Sequence, residues 1–146
     1  MSDSTPSISA VYSDLVLRHN RAPVGFVVLP EASHRGAAEN RSCGDQIDVA
    51  LLLGSDDQIG QATFQGDSCA ICTAAASILC GLLLGHSRAA ALRLLDEADH
   101  AIQHGNTDAP DLLGDLAAFI ELKAAPARRK CALLPVSAFR QALSQD

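Results

Sequence analysis

The chain has 146 residues, 48% of them apolar and 19% charged, which is the length of one domain and too hydrophobic for a disordered chain. Eleven Lys and Arg against seventeen Asp and Glu give a net charge of −6. That balance excludes a general nucleic-acid binder, which needs a basic face, and with no Trp and 3% aromatics there is little for single strands to stack on.

Five cysteines are odd in number and too scattered for a small secreted disulfide scaffold. The opening MSDSTPSIS has neither the basic nor the apolar region of a secretory signal. The expectation is therefore a cytoplasmic protein whose thiols serve metal binding or chemistry.

Residues 1–7 read as a flexible polar lead, with Ser7 capping a first helix. On that helix Ile8, Val11, Tyr12, Leu15 and His19 share one face, and Pro23 and Gly25 end it. Residues 24–42 read as a long irregular loop. Gln46–Leu53 reads as a strand, Gly54–Asp57 as a turn, and the stretch from Ile59 to Gly66 as a second strand, together an antiparallel hairpin. Cys69–Leu84 is an alanine-rich apolar run closed by Gly85. The stretch 68–87 holds no Asp, Glu, Lys or Arg, but its many small residues make it too weakly hydrophobic for a membrane span, and it is read as a buried helix.

Ser87–His104 is an amphipathic helix with Ala91, Leu94, Leu95, Ala98 and Ile102 inward, broken at Gly105. Asp108 or Asp111 caps a helix over 112–122. Pro126 opens a loop carrying Arg128, Arg129 and Lys130, and Pro135 opens a last helix to Leu143. The fold class expected is α+β: a small antiparallel sheet of about three strands packed against several helices, in a single domain over residues 1–146.

Three cysteine segments are candidates for chemistry. In Cys43-Gly44-Asp45, extended backbone would turn the thiol and the carboxylate to one face. Cys69 stands where a loop becomes a helix, where backbone N–H groups and the helix dipole favour a thiolate. Cys131 follows three basic residues, which would lower its thiol pKa. Against these readings stand the ordinary ones: a buried cysteine and a turn aspartate, a helix-start cysteine, a basic loop before a core cysteine. Cys69-x-x-Cys72 has redox spacing but lacks a βαβ context, so Cys72 and Cys80 read as small buried hydrophobes. His100 and His104 have i, i+4 spacing on a polar face and read as solvated.

Taken together, Cys43-Gly44-Asp45, Gly66-Asp67-Ser68-Cys69-Ala70-Ile71 and Arg128-Arg129-Lys130-Cys131-Ala132-Leu133, with the opening Tyr12, His19 and Pro23, resemble the IscU/SufU family of iron–sulfur cluster scaffolds, the NifU N-terminal type. The resemblance covers nearly the whole chain. Lys130 where Isc-like members carry His, and the long stretch between Gly85 and Cys131, resemble the SufU branch. Ser68 and Cys72 depart from the family, which usually has Gly and Ser there, and the aromatic usual near Val136 is absent.

The resemblance implies a metal site of Cys43, Asp45, Cys69 and Cys131 holding zinc, iron or a [2Fe–2S] cluster. It implies sulfur accepted from a cysteine desulfurase on Cys43 or Cys131, and delivery to apo iron–sulfur proteins. Three thiolates and a carboxylate around Zn²⁺ sum to −2, an excess that Arg128 and Lys130 would offset. A zinc-dependent sulfurtransferase and a purely structural zinc protein are the alternatives, so whether the chain is an enzyme stays open. No nucleic-acid or membrane partner is expected.

Overall fold

The structure is a computed structural model that describes residues 8–145, apart from the side chains of residues 8–11 and 123. The expected polar lead, the Ser7 cap and the inward side chains of Ile8 and Val11 lie outside the described residues. The elements run α1 (Ile8–Arg21), β1 (His34–Asn40), β2 (Asp45–Leu53), β3 (Ile59–Asp67), α2 (Ala70–Leu82), α3 (Arg88–His104), α4 (Pro110–Leu113), a 3-10 segment (Gly114–Ala124) and α5 (Pro126–Leu143).

One antiparallel sheet has the order β1-β2-β3. β2 is the expected strand, and its first half alternates: Ile47 and Val49 are buried, while Gln46 and Asp48 are exposed. The fold is the expected α+β. Residues 24–42, however, are not one irregular loop, because β1 pairs residue by residue with β2 from His34↔Leu51 to Asn40↔Asp45. Its sequence HRGAAEN has no β-branched or aromatic side chain, so strand propensity gives no signal there. The partners make it a strand. A Cβ on Gly36 would stand 2.2 Å from the Ala138 carbonyl oxygen, so only glycine lets β1 lie this close to α5.

α5 packs on β1, β2, α2 and α3, and α2 packs on β3 and α1. Its core positions Ala74, Ala75, Ala76, Leu79 and Cys80 are fully shielded from solvent. The apolar run at 68–87 is thus a buried helix of 13 residues, and among the described residues no helix is long and apolar enough to cross a membrane. α3 begins and ends as expected, with the Ser87 hydroxyl accepting the Ala90 N–H and Gly105 left-handed at φ 77°. The five expected inward residues of α3 are buried.

Two expectations about the C-terminal half fail. Neither Asp108 nor Asp111 caps the segment after α3. α4 starts at Pro110 with no side-chain cap and passes into the 3-10 segment. The stretch 126–134 is not a loop either, for α5 runs unbroken from Pro126 with Pro135 inside it. Proline at the first helical position costs no hydrogen bond, so Pro126 is a helix start. Pro135 is itself buried, and the packing of α5 on β1, β2, α2 and α3 holds the helix together through it. It has no N–H to offer the Cys131 carbonyl one turn earlier.

Candidate metal centre

Cys43 sits in the turn between β1 and β2. The turn is closed by Cys43 N–H to the Asn40 carbonyl (3.3 Å) and Gly44 N–H to the Arg41 carbonyl (3.4 Å). Gly44 is left-handed at φ 72°, a conformation open to glycine at little cost. Strand alternation therefore does not bring Cys43 and Asp45 together. The turn folds the thiol back over the first residue of β2. The Asn40 amide donates to Cys43 Sγ (3.6 Å).

Asp45 is 4% exposed. Its Oδ1 accepts the Cys69 N–H at 2.8 Å, while its Oδ2 is buried and accepts no hydrogen bond. Cys69 is the N-cap of α2, and its Sγ accepts the Cys72 N–H at 3.5 Å. The carboxylate and the Cys69 sulfur thus both meet the positive end of α2.

Cys131 reaches the same place from the second turn of α5. It is 6% exposed and its Sγ lies 3.9 Å from Cys43 Sγ. Ligand atoms of Cys43, Asp45 and Cys131 all lie within 4.8 Å of one another. Cys69 is not part of that group, but it lines the same open cleft with Cys43, Cys131, Tyr12, Arg128 and Ile71, a space of about 620 Å³.

The thiol of Cys131 is pushed up, not down. Burial is the main cause, followed by the neighbouring Cys69 and Asp45 side chains and its contact with Cys43. The basic neighbours fail to lower it because a helix spreads consecutive residues around its axis. Arg128 lines the cleft. Arg129 donates to the Gln103 carbonyl, and Lys130 borders a separate depression beside Glu39 and Arg41. Cys72 and Cys80 are fully buried, each raised to about 12 by burial.

Two residues at this site were not singled out for it from the sequence. The Tyr12 hydroxyl is buried at the cleft without a hydrogen-bond partner. Burial holds its pKa up at about 12, with Arg128 opposing and the charges of Cys69, Glu121 and Cys131 adding to the rise. Its place on the inward face of α1 was readable. Asn40 was not, because it ends a strand that has no sequence signal.

The residues present fit a cation. A shielded carboxylate oxygen with nothing to bond, beside two thiols in near contact, is costly as bare protein and matches the sulfur and oxygen donors of zinc or a cluster iron.

The family model described as the NifU-like N terminal domain matches residues 11–144. The chain belongs to the NifU-like N-terminal domain family. It is 29% identical over 139 residues to a Streptococcus pyogenes protein named iron-sulfur cluster assembly scaffold protein IscU, covering 95% of this chain and 86% of that one. It is 27% identical over 140 residues to a Bacillus subtilis protein named zinc-dependent sulfurtransferase SufU, covering 96% and 94%. Among solved structures, a protein from Fervidobacterium islandicum AW-1 described as a putative iron-sulfur cluster assembly scaffold for the SUF system superposes with a TM-score of 0.84. It has 26% identity and covers 91% of this chain and 96% of that one. The NifU-like match takes in all three cysteine segments, so the site stands within the matched domain.

Proposed function

We propose that this chain is an iron–sulfur cluster assembly protein. It receives sulfur from a cysteine desulfurase and holds a metal or a nascent cluster at Cys43, Asp45, Cys69 and Cys131 for transfer to apo-proteins in the cytoplasm. The observation that carries this reading is the convergence of Cys43, Asp45 and Cys131 at an open cleft, with one carboxylate oxygen unbonded.

The donors differ in access, and that difference divides their roles. Cys43 is exposed on a turn, where a partner's persulfide can reach it. Cys131 and Asp45 are recessed and anchor the cargo from below. A bound cation would hold these thiols as thiolates ready for exchange. Arg128 at the cleft offsets the negative charge of thiolates and carboxylate. The oxygen donor is harder than sulfur and the weaker partner for a cluster iron, which suits a site that must release its cargo.

A second reading, a zinc-dependent sulfurtransferase, is supported by the likeness to the Bacillus protein; it differs in the resident metal. A purely structural zinc site is disfavoured, since such a site is closed and here Cys43 lies open.

Metal analysis of freshly purified protein separates the first two readings: iron with acid-labile sulfide for the scaffold, zinc for the sulfurtransferase. Sulfur transfer from a desulfurase is expected to fall by about tenfold or more in Cys43→Ala or Cys131→Ala, as for loss of a nucleophile. Unchanged transfer in both variants overturns the sulfur-receiving role.

A further inference from the structure

Cys72 is left unexplained by the metal site. Its side chain is 0% exposed and makes no part of the candidate ligand group. Yet it is not an arbitrary core cysteine. It stands at the third position of α2, its N–H bonded to the sulfur of Cys69 at 3.5 Å. Cys69 caps the helix from extended backbone and faces the open cleft. This is an accessible thiol at a helix N-cap with a sheltered thiol one turn behind it.

Residues three apart on a helix hold their Cβ atoms roughly 5–6 Å apart, and a disulfide requires about 3.5–4.5 Å. A non-helical N-cap residue has the freedom to close that difference. Cys80 is the internal contrast. It is equally buried but lies two turns further along α2, out of reach of the cap.

We propose that Cys69 and Cys72 form a dithiol pair that reduces sulfane sulfur arriving in the cleft to hydrosulfide and closes as a Cys69–Cys72 disulfide. The inference rests on the sulfur-receiving reading above. In the first step a donor persulfide, R–S–S⁻, passes its outer sulfur to the Cys69 thiol, giving R–SH and Cys69–S–S⁻. In the second step the anionic outer sulfur takes the Cys72 proton, and the Cys72 thiolate so formed attacks the inner sulfur of that persulfide. The Cys69–Cys72 S–S bond forms, the bond to the outer sulfur breaks, and the Cys72 proton leaves with it as HS⁻. The outer sulfur gains two electrons and the two cysteine sulfurs lose them. A dithiol reductant then reopens the disulfide.

Access sets the order of events. External persulfides reach Cys69, whereas Cys72 is shielded and reacts only with what Cys69 carries. The pair would supply the sulfide that cluster formation consumes, and its closed form would withdraw Cys69 from the ligand set.

The test uses the full-length reduced chain, treated anaerobically with glutathione persulfide labelled in its outer sulfur. Labelled hydrosulfide is trapped and counted, and disulfides are mapped by peptide mass spectrometry. The expected result is a Cys69–Cys72 linkage, with hydrosulfide release falling by about fivefold or more in Cys72→Ser, the loss expected when a resolving thiol is removed. Release in Cys80→Ser is expected to match the parent. The same release in Cys72→Ser as in the parent, or a dominant Cys43–Cys131 linkage, overturns the inference. If labelled sulfur is found on Cys43 or Cys131 without a Cys69–Cys72 linkage, the inference falls and the proposed function stands. If no cysteine takes up sulfur, both fall.

Discussion

Asp45 concentrates the tension of the site in one side chain. One oxygen is tied to the N-terminus of α2 through the Cys69 N–H at 2.8 Å, and the other is buried with no partner. If the oxygen donor is what makes cargo leave, Asp45→Ala slows the loss of a reconstituted cluster to a chelator, by several-fold, as absorbance decay would record. Faster loss in the variant contradicts the release argument. Asp45 was legible from the sequence through its place beside Cys43. The reason for their convergence was not, because it depends on a left-handed Gly44 that turns Cys43 back over β2.

Pairs of elements carry two further expectations. β1 rests on α5 at Gly36, where an added methyl would meet the Ala138 backbone. Gly36→Ala is expected to destabilise the chain by about 1–3 kcal/mol, the range for overpacking, read from urea unfolding midpoints. α1 is tied to α2 through Ser77, whose hydroxyl accepts the Val24 N–H at 2.7 Å and meets His19 Nδ1 at 2.6 Å. While its oxygen accepts from Val24, that hydroxyl keeps its hydrogen to donate to a neutral ring whose Nδ1 is the acceptor. Burial, and after it the Arg18 charge, lower the His19 pKa below its ordinary 6.5. The unfolded chain therefore binds the proton more tightly than the folded one. The contribution of His19 is present above about pH 6.5 and is lost as pH falls through that value toward the folded pKa. His19→Gln is expected to flatten this slope in unfolding midpoints measured across that window. An equal slope in the two proteins would exclude His19 as its source.

Across the molecule, Arg88 joins parts that are distant in the chain. Its guanidinium donates to Asp57 in the β2–β3 turn (3.3 Å), to His34 Nε2 on β1 (3.0 Å), and to the Leu143 (3.0 Å) and Gln145 carbonyls at the end of α5. Because arginine can only donate, His34 Nε2 accepts, and its Nδ1–H is left to donate to the Ser33 hydroxyl at 2.9 Å. Ser33 in turn accepts the Leu53 N–H. Arg88→Ala leaves the buried His34 ring and Leu143 carbonyl without this donor and is expected to cost about 1–3 kcal/mol in unfolding free energy. Arg88→Lys recovers only part, since one ammonium cannot serve partners on several sides.

Local pattern was enough for the strongly periodic parts. The β2–β3 hairpin, the buried helix α2 and the ends of α3 follow from two apolar runs about a tight turn, from alanine content, and from the Ser87 and Gly105 signals, each of which acts within a few residues. The three cysteine segments, and the family they resemble, were legible for the same reason: they are short runs of side chains. Tertiary structure alone decided what depends on distant partners. β1 is a strand because β2 and α5 are beside it. The stretch 126–134 is helix, and α5 continues through Pro135, because it packs on β1, β2, α2 and α3. Cys131 is raised because the fold buries it, and Lys130 borders a separate depression because a helix divides neighbours between faces. Pairing, burial and the direction of a side chain are properties of what surrounds a residue, and those surroundings come from segments far away in the chain.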